Sequence, residues 1–241
     1  MQSLSSFNQS TYKIMKIYSF LIAVVSILFI SFEYSKAEEP KEKKGPTTDL
    51  PLVFSEDFEK GRERWETTDE KSWTHREIEG NKVFGISRRQ SSYKTKVRSP
   101  YHIALIKGLE LSDFVMTFRV RSTKDTGGHR DCCVFFNHQD ETNFYYTHLG
   151  ANPDPHSGQI MIVKDAPRKA ITQNKNKTPW DDQWHNVKLV RDSKKGTIEI
   201  YFDDMKKAHM SAVDKTFGKG RIGLGSFDDM NDFDDIKIWG K

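Results

Sequence analysis

The sequence has little of what marks several common protein classes. Its 241 residues include 15 glycines, too few for a fibrous repeat. The formal net charge is only +4, with 38 basic and 34 acidic residues spread along the chain, which argues against nucleic acid as a partner. No segment shows a long 3.6-residue apolar period, and the length leaves little room for a second large domain.

Cysteine is also scarce, since the chain has only Cys132 and Cys133, which are adjacent. Neighbouring side chains on a strand point to opposite faces, and a disulfide between them would need a strained ring. We therefore interpret both as small buried residues, with a vicinal redox pair as the alternative.

Aromatic residues, in contrast, are plentiful. The chain has 16 Phe, 8 Tyr and 5 Trp, and 36% of its residues are hydrophobic. This supplies enough apolar surface for a folded core and excludes disorder for most of the chain.

The N-terminal segment has the order of regions found in secretory signal peptides. Lys13 and Lys16 precede an apolar run over residues 17–32, and Ser35 and Ala37 stand at the −3 and −1 positions of a small-residue cleavage site. The pattern predicts a signal peptide over residues 1–37 and a secreted or periplasmic protein with no membrane segment after cleavage. A membrane anchor is the alternative, but the run is short for a span of ~20 residues.

The next segment predicts a spacer. Residues 38–50 carry six charges in their first seven positions and almost no apolar side chain. Residues 38–50 are therefore expected to be a disordered charged spacer, and residues 51–241 a single domain.

Short apolar segments with period two follow one another through this domain. In residues 114–120, the apolar Phe114, Met116, Phe118 and Val120 alternate with polar or smaller side chains, which predicts a half-buried strand. Further strands are predicted at residues 132–137, 144–149, 159–163, 185–190, 197–202, 221–225 and 233–239. The spacing predicts an all-β fold, a two-sheet antiparallel jelly-roll sandwich with a concave groove suited to a saccharide.

Several motifs along this domain are similar to those of a known superfamily. They are residues 54–59, Trp65, residues 98–100, Asp113-Phe114, Trp184-His185, Gly196 with residues 198–203, residues 220–225 and residues 233–238. Together they resemble the concanavalin A-like lectin/glucanase superfamily, and within it the secreted 3-keto-disaccharide hydrolase-like domains. The resemblance implies the same sandwich and a glycan-active function.

One strand differs from the family pattern at the groove. The family's Tyr-Glu-x-Gln stretch corresponds here to residues 145–148, which read Tyr-Tyr-Thr-His and lack the carboxylate. The Glu-x-Asp-x-x-Glu motif of the retaining glucanases, whose two carboxylates lie ~5 Å apart, is absent as well. The function predicted is therefore glycoside hydrolase-like, with a non-catalytic lectin-like or cell-surface module as the alternative.

The candidate catalytic residues lie in the middle of the chain. Tyr146 and His148 are two positions apart on one strand face, and His129 and Asp131 stand on a loop entering the preceding strand. Histidine and tyrosine serve as general base and acid near neutral pH. Partly buried strand residues, and an ion pair of Asp131 with an arginine, are the structural alternatives.

We assign a further set of residues to substrate binding because they carry planar donors, charges or an exposed ring. They are Arg98, Arg119, Arg121, His138, Lys164, Arg168 and Trp180. We expect Trp180 to lie on an exposed loop and Trp65, Trp73 and Trp184 to fill the core.

The acidic C-terminal stretch suggests a metal site. Calcium prefers clustered oxygen ligands, and in many jelly rolls of this superfamily it joins the first strand to the last. Asp57 and Asp235 are then the natural pair for a structural calcium, with turn-capping aspartates as the alternative.

Overall fold

The computed structural model describes residues 48–241. The predicted signal peptide and all but the last residues of the predicted spacer lie outside the described residues. Within residues 48–241, no helix is both long enough and apolar enough to cross a bilayer.

The described chain folds into two antiparallel sheets. Sheet 1 contains β1 (Leu52–Glu56), β3 (Trp73–Ile78), β4 (Asn81–Ile86), β6 (Phe114–Ser122), β11 (His185–Asp192), β12 (Thr197–Phe202), β13 (Met210–Val213) and β15 (Asn231–Gly240). Sheet 2 contains β2 (Trp65–Thr67), β5 (His102–Leu111), β7 (Cys133–Asp140), β8 (Asn143–His148), β9 (Ile160–Lys164), β10 (Lys169–Ala170) and β14 (Gly220–Ser226). Two short 3₁₀ helices, Glu70–Ser72 and Gly127–His129, lie in the connections.

The strand order connects distant parts of the chain. Sheet 1 runs β13-β12-β11-β6-β15-β4-β3, with β1 paired to β15, and sheet 2 runs β10-β9-β8-β7-β14-β5-β2. The predicted all-β, two-sheet antiparallel sandwich is confirmed, and every strand predicted from residue 114 onward is present within two residues of its expected start.

The main core lies between the two sheets. The alternating apolar residues of β6 all point into it, and Phe114, Met116 and Val120 are fully buried. Because the period is two, the intervening Arg119 and Arg121 lie on the opposite face of sheet 1, away from the core. The hairpin from β11 to β12 turns at Gly196, whose φ of 83° suits glycine.

Sheet 2 is apolar on its other face too. Ile103, Phe135, Phe144 and Tyr146 form a second buried cluster there with Leu105, Cys133, Met161 and Val163. Gly225 lies beside it, where a Cβ would come within 1.9 Å of the His102 carbonyl oxygen. The two cysteines point to opposite faces, Cys132 into the main core and Cys133 into this second cluster, and both are free.

An extended segment of the same chain lies over this second cluster. We call residues 88–101, between β4 and β5, the covering segment. From Ser91 to Arg98 its residues alternate between half-buried and exposed, and the half-buried Val97 packs on the second cluster. The face of sheet 2 expected from the sequence to form an open groove is therefore filled by the chain itself.

Candidate functional site

The structure places the predicted site residues on two opposite faces of the sandwich. Tyr146 and His148 lie on the outer face of sheet 2, whereas Arg119 and Arg121 lie on the outer face of sheet 1. They do not line one common groove, because β6 and β8 belong to different sheets.

The residues on sheet 2 form a buried polar cluster under the covering segment. Asp131 is 3% exposed, and its Oδ1 accepts hydrogen bonds from Ser226 Oγ (2.8 Å) and the Phe227 amide (2.9 Å). His148 is 5% exposed; its Nδ1 lies 3.1 Å from the His156 carbonyl oxygen and its Nε2 lies 3.7 Å from Asp131 Oδ2. The arrangement fixes both side chains but leaves little access for a substrate.

Burial also shifts the pKa values in this cluster. It raises the pKa of the Tyr146 phenol well above its usual range, and burial together with the charge of Asp131 does the same for the Cys133 thiol. Burial and the neighbouring Asp131 raise the pKa of Asp229 to about 6. Burial also acts to raise the pKa of Asp131. The adjacent His148 and the hydrogen bonds to the Asp131 carboxylate outweigh burial, so the pKa of Asp131 is lowered. A neutral phenol and thiol are poor nucleophiles.

The ring of Phe227 closes the cluster on one side. It stacks on the His148 ring with centroids 6.0 Å apart, and the guanidinium carbons of Arg168 and Arg98 lie 4.2 Å and 5.6 Å from its centroid. Arg98 of the covering segment and Arg168 beside it thus lie above the buried residues, and the Arg168 amide donates to the Arg98 carbonyl oxygen.

The remaining predicted residues of this region lie apart from the cluster. His129 and Lys164 are exposed, His129 in the second 3₁₀ helix and Lys164 at the end of β9. Trp180 packs against the main core instead of standing free: its Nε1 donates to the Leu149 carbonyl oxygen at 2.7 Å, and its ring meets Phe202 edge to face.

The predicted calcium pair is adjacent in register. Glu56 pairs with Ile236, which places Asp57 and Asp235 next to each other at the end of β1. Both side chains are exposed, and Asp235 Oδ2 lies 2.7 Å from Arg119 Nε. No third acidic, histidine or cysteine ligand joins them among residues 48–241, and the calcium site stays a prediction.

His138 is a buried histidine at the end of β7. Its ring stacks on Phe144 at 4.9 Å, and burial, with a smaller contribution from Arg221, lowers its pKa to about 4, although Asp140 acts in the opposite direction. It is held neutral in the folded protein.

A pH dependence of stability follows from His138. The pKa of His138 is lower in the folded protein than in the unfolded chain, where it is ~6.5. The stability that neutral His138 contributes is therefore present above pH ~6.5 and is lost as the pH falls toward 4, by ~2–3 kcal/mol at pH 4.5. We expect the stability difference between the wild type and His138→Phe to shift by this amount between pH 7 and 4.5, measured by urea unfolding. Asp229, whose raised pKa changes stability with pH in the opposite direction, is present in both proteins, so its effect cancels in the difference. The exposed His129→Phe is the control, and an equal shift in it would contradict the prediction.

The residues on sheet 1 form a partly exposed cluster that we call the Trp184 platform: Trp184, Arg119, Arg121, Asp232 and Asp234. His185 pairs with Val120, so Trp184 precedes β11 beside Arg121. The guanidinium carbons of Arg119 and Arg121 lie 4.9 Å and 5.2 Å from the Trp184 ring centroid. The ring is partly exposed and does not belong to the core.

Two buried carboxylates hold the arginines in place. Arg119 Nη2 donates to Asp234 Oδ2 at 2.7 Å and Arg121 Nη2 to Asp232 Oδ2 at 3.0 Å, with each aspartate directly across the strand pair. Asp232 also accepts from Arg76 Nη2 at 2.6 Å. The two aspartate side chains are at most 1% exposed, whereas those of Arg119 and Arg121 are 29% and 26% exposed. The platform therefore presents an aromatic ring beside donors that are already oriented.

Sequence reasoning assigned Arg119 and Arg121 to binding but missed their partners. The acidic stretch near the C-terminus was interpreted as calcium ligands or turn caps. The alternation of residues along this stretch could have identified them as partners of the arginines. Asp232 and Asp234 flank the core residue Phe233, so both point to the face that carries the arginines.

Comparisons with known proteins bear on the fold. Neither the family models nor the curated proteins compared with the sequence give a match. Among solved structures, carbohydrate-binding module CBM66 of Bacillus subtilis is 20% identical over 73% of this chain and 96% of that chain, with a TM-score of 0.53.

Two further structures are similar at lower identity. Domain 4 of AbnA, an extracellular arabinanase of Geobacillus stearothermophilus, is 11% identical over 80% of this chain and 94% of that chain, with a TM-score of 0.53. The lectin of Bauhinia forficata is 13% identical over 79% and 98%, with a TM-score of 0.50. At these identities the similarity establishes a shared fold, which is the sandwich expected from the sequence.

Proposed function

We propose that this chain is an exported, non-catalytic carbohydrate-binding domain, and that the Trp184 platform holds the sugar. The observation that carries the proposal is the partly exposed Trp184 ring resting on two arginines anchored by buried aspartates. Sugar rings offer apolar faces that stack on aromatic rings, and their hydroxyl groups need fixed polar partners. The platform supplies both.

The charge of this surface favours neutral sugars. Arg76, Arg119 and Arg121 carry three positive charges, and Asp232, Asp234 and Asp235 balance them within 3.0 Å contacts. A surface without net charge gives no long-range attraction for a polyanion. The ligand class we propose is therefore a neutral oligosaccharide or polysaccharide.

Binding without turnover is favoured over the hydrolase-like alternative. The residues suited to acid–base chemistry, Tyr146 and His148, are buried under the covering segment. A glycosidase needs two carboxyl groups that can reach the scissile bond from opposite sides. The carboxylates of the platform, in contrast, are buried and occupied by arginines. The similar structures support the proposal, since a carbohydrate-binding module and a lectin share the fold.

The test is a calorimetric titration with neutral sugars. The probes are arabinotriose and N-acetylgalactosamine, which are bound in two of the similar structures, and the polysaccharides arabinan and dextran. An acidic polysaccharide is titrated for comparison. We expect Trp184→Ala to weaken binding at least about tenfold, or ~1.4 kcal/mol. No reducing ends should be released on incubation with plain or 3-keto disaccharides.

Tyr201→Ala is the matched control. Tyr201 lies elsewhere on sheet 1, half-buried, and also contacts a cation, with Lys188 Nζ 3.7 Å from its ring centroid. Its removal should leave the affinity unchanged. A sugar bound equally well by the wild type and Trp184→Ala would contradict the proposed site.

A further inference from the structure

Three side chains of different chemistry converge in the buried cluster of sheet 2. Asp131 precedes β7, Cys133 begins it, and His148 ends the paired strand β8. Cys133 pairs directly with His148 across the ladder, and both point away from the main core. One donor atom from each of the three residues lies within 4.8 Å of the others.

The separations approach those of ligands around one metal ion, and without an ion Cys133 Sγ lies within S–H···O hydrogen-bond reach of Asp131 Oδ1. His148 Nε2 lies 3.7 Å from Asp131 Oδ2, and Cys133 Sγ lies 3.9 Å from Asp131 Oδ1. The first separation is too long for a hydrogen bond. Zinc bonds of ~2.0–2.3 Å in a tetrahedron place neighbouring ligand atoms about 3.3–3.8 Å apart.

The hydrogen bonds around these residues orient them as metal ligands are oriented. The His156 carbonyl oxygen can only accept, so His148 Nδ1 carries a proton, and Nε2, the other ring nitrogen, faces the Asp131 carboxylate. Only a cation, either a proton on Nε2 or a metal ion, can then lie between Nε2 and Oδ2. Asp131 Oδ1 is held by Ser226 and Phe227, while Oδ2 accepts no hydrogen bond from a described residue. A metal ion at this position would be held by Nε2 and Oδ2, while the hydrogen bonds of Nδ1 and Oδ1 keep both side chains oriented toward it.

We propose that Asp131, Cys133 and His148 bind a zinc ion, with the fourth position taken by water. The mixed sulfur, nitrogen and oxygen set suits zinc, whereas calcium and magnesium prefer oxygen alone. The ion would link the β7–β8 pair to the turn after β14 through Asp131, Ser226 and Phe227. This site is separate from the Trp184 platform, and the proposal does not depend on sugar binding.

The experiment uses the purified protein after treatment with a chelator, titrated with Co²⁺ as the spectroscopic probe. We expect one cobalt ion per chain, a near-UV thiolate-to-cobalt band, intense visible bands typical of tetrahedral cobalt, and loss of all of them on adding one equivalent of Zn²⁺. Zinc should also raise the Tm of the stripped protein.

The adjacent cysteines provide a matched pair of variants. Both are fully buried, so Cys133→Ala and Cys132→Ala remove the same group at neighbouring positions. Cys133→Ala should lose the thiolate band and at least about 100-fold in zinc affinity, while Cys132→Ala should keep both. His148→Gln should weaken zinc binding with the thiolate band retained at high cobalt. Circular dichroism identifies any variant that fails to fold. If Cys133→Ala does not fold, the zinc affinity and thiolate band of His148→Gln decide the test. A folded wild type with no thiolate band, or the same band in Cys133→Ala, would overturn the proposal.

Discussion

Replacing Asp69 with alanine is expected to release the covering segment and expose the second apolar cluster. Asp69 Oδ2 accepts from the Ser92 amide at 2.7 Å, Ser72 Oγ at 2.9 Å and Arg88 Nη2 at 3.2 Å. The Ser92 hydrogen bond is the main reason why the pKa of Asp69 lies well below its usual range. The side chain is 5% exposed, so its loss leaves donors of the covering segment without their partner.

The expected loss is ~2–3 kcal/mol, because buried hydrogen bonds to a charged group are lost together. Local opening of this size would raise tryptic cleavage at the exposed Lys94, Lys96 and Arg98 on the order of 50-fold, as measured by the rate of chain cleavage under native conditions. Binding of a hydrophobic dye should increase together with the cleavage rate, because the uncovered face of sheet 2 carries Phe135, Phe144 and Tyr146.

Glu141→Ala is the matched control for the covering segment. Glu141 pairs with Lys96 at 2.9 Å, but the two side chains are 52% and 69% exposed. Exposed pairs contribute little, so cleavage should rise less than about threefold. Equal protease sensitivity in the two variants would show that Asp69 does not anchor the covering segment.

The second large effect is expected at Arg191, whose guanidinium lies inside the sandwich. Arg191 is 2% exposed and points to the core side of β11. Its Nε donates to Asn137 Oδ1 at 3.0 Å, Nη1 to the carbonyl oxygens of Gly196 and Asp214 at 2.9 Å, and Nη2 to the Phe217 carbonyl oxygen at 3.0 Å. It therefore joins β7, the β11–β12 hairpin and the segment that leads into β14.

Arg191→Ala should lower the free energy of unfolding by ~3–5 kcal/mol, because it leaves one buried and two partly buried carbonyl groups and a buried amide oxygen without their donor. Urea unfolding followed by tryptophan fluorescence measures this loss. Lys188→Ala, on the outer face of the same strand, should cost less than ~1 kcal/mol. A loss below 1 kcal/mol in Arg191→Ala, or equal losses in both variants, would contradict the assigned role.

The strands were predictable because the apolar stripe of β6 and the alternation in β12 follow the period of a strand directly. The covering segment was not, because alternation reports which residues are buried but not what buries them. Phe144, Tyr145 and Tyr146 are consecutive and all fully buried, so β8 needs cover on both faces. That pattern signals a layer beyond the second sheet, and residues 88–101 supply it as an extended segment that belongs to neither sheet.

The candidate site was predictable only in part. Arg119 and Arg121 were recognised as donors on one strand face, but the sheet to which that face belongs depends on pairing with β11 and β15. The two tryptophans illustrate the same limit. Trp180 and Trp184 are four residues apart in one polar loop, and only the tertiary structure turns the first onto the core and the second onto the arginines.

The location of the sugar site is tested most directly by the indole N–H signals of the five tryptophans in a ¹H–¹⁵N spectrum. A neutral sugar identified by calorimetry is titrated into the labelled protein. We expect the Trp184 signal to shift with the calorimetric affinity, while the signal of Trp180, whose Nε1 donates to the Leu149 carbonyl oxygen, stays in place. An unchanged Trp184 signal, with shifts at Tyr146 and His148 instead, would contradict this expectation and place the sugar on the covered face of sheet 2.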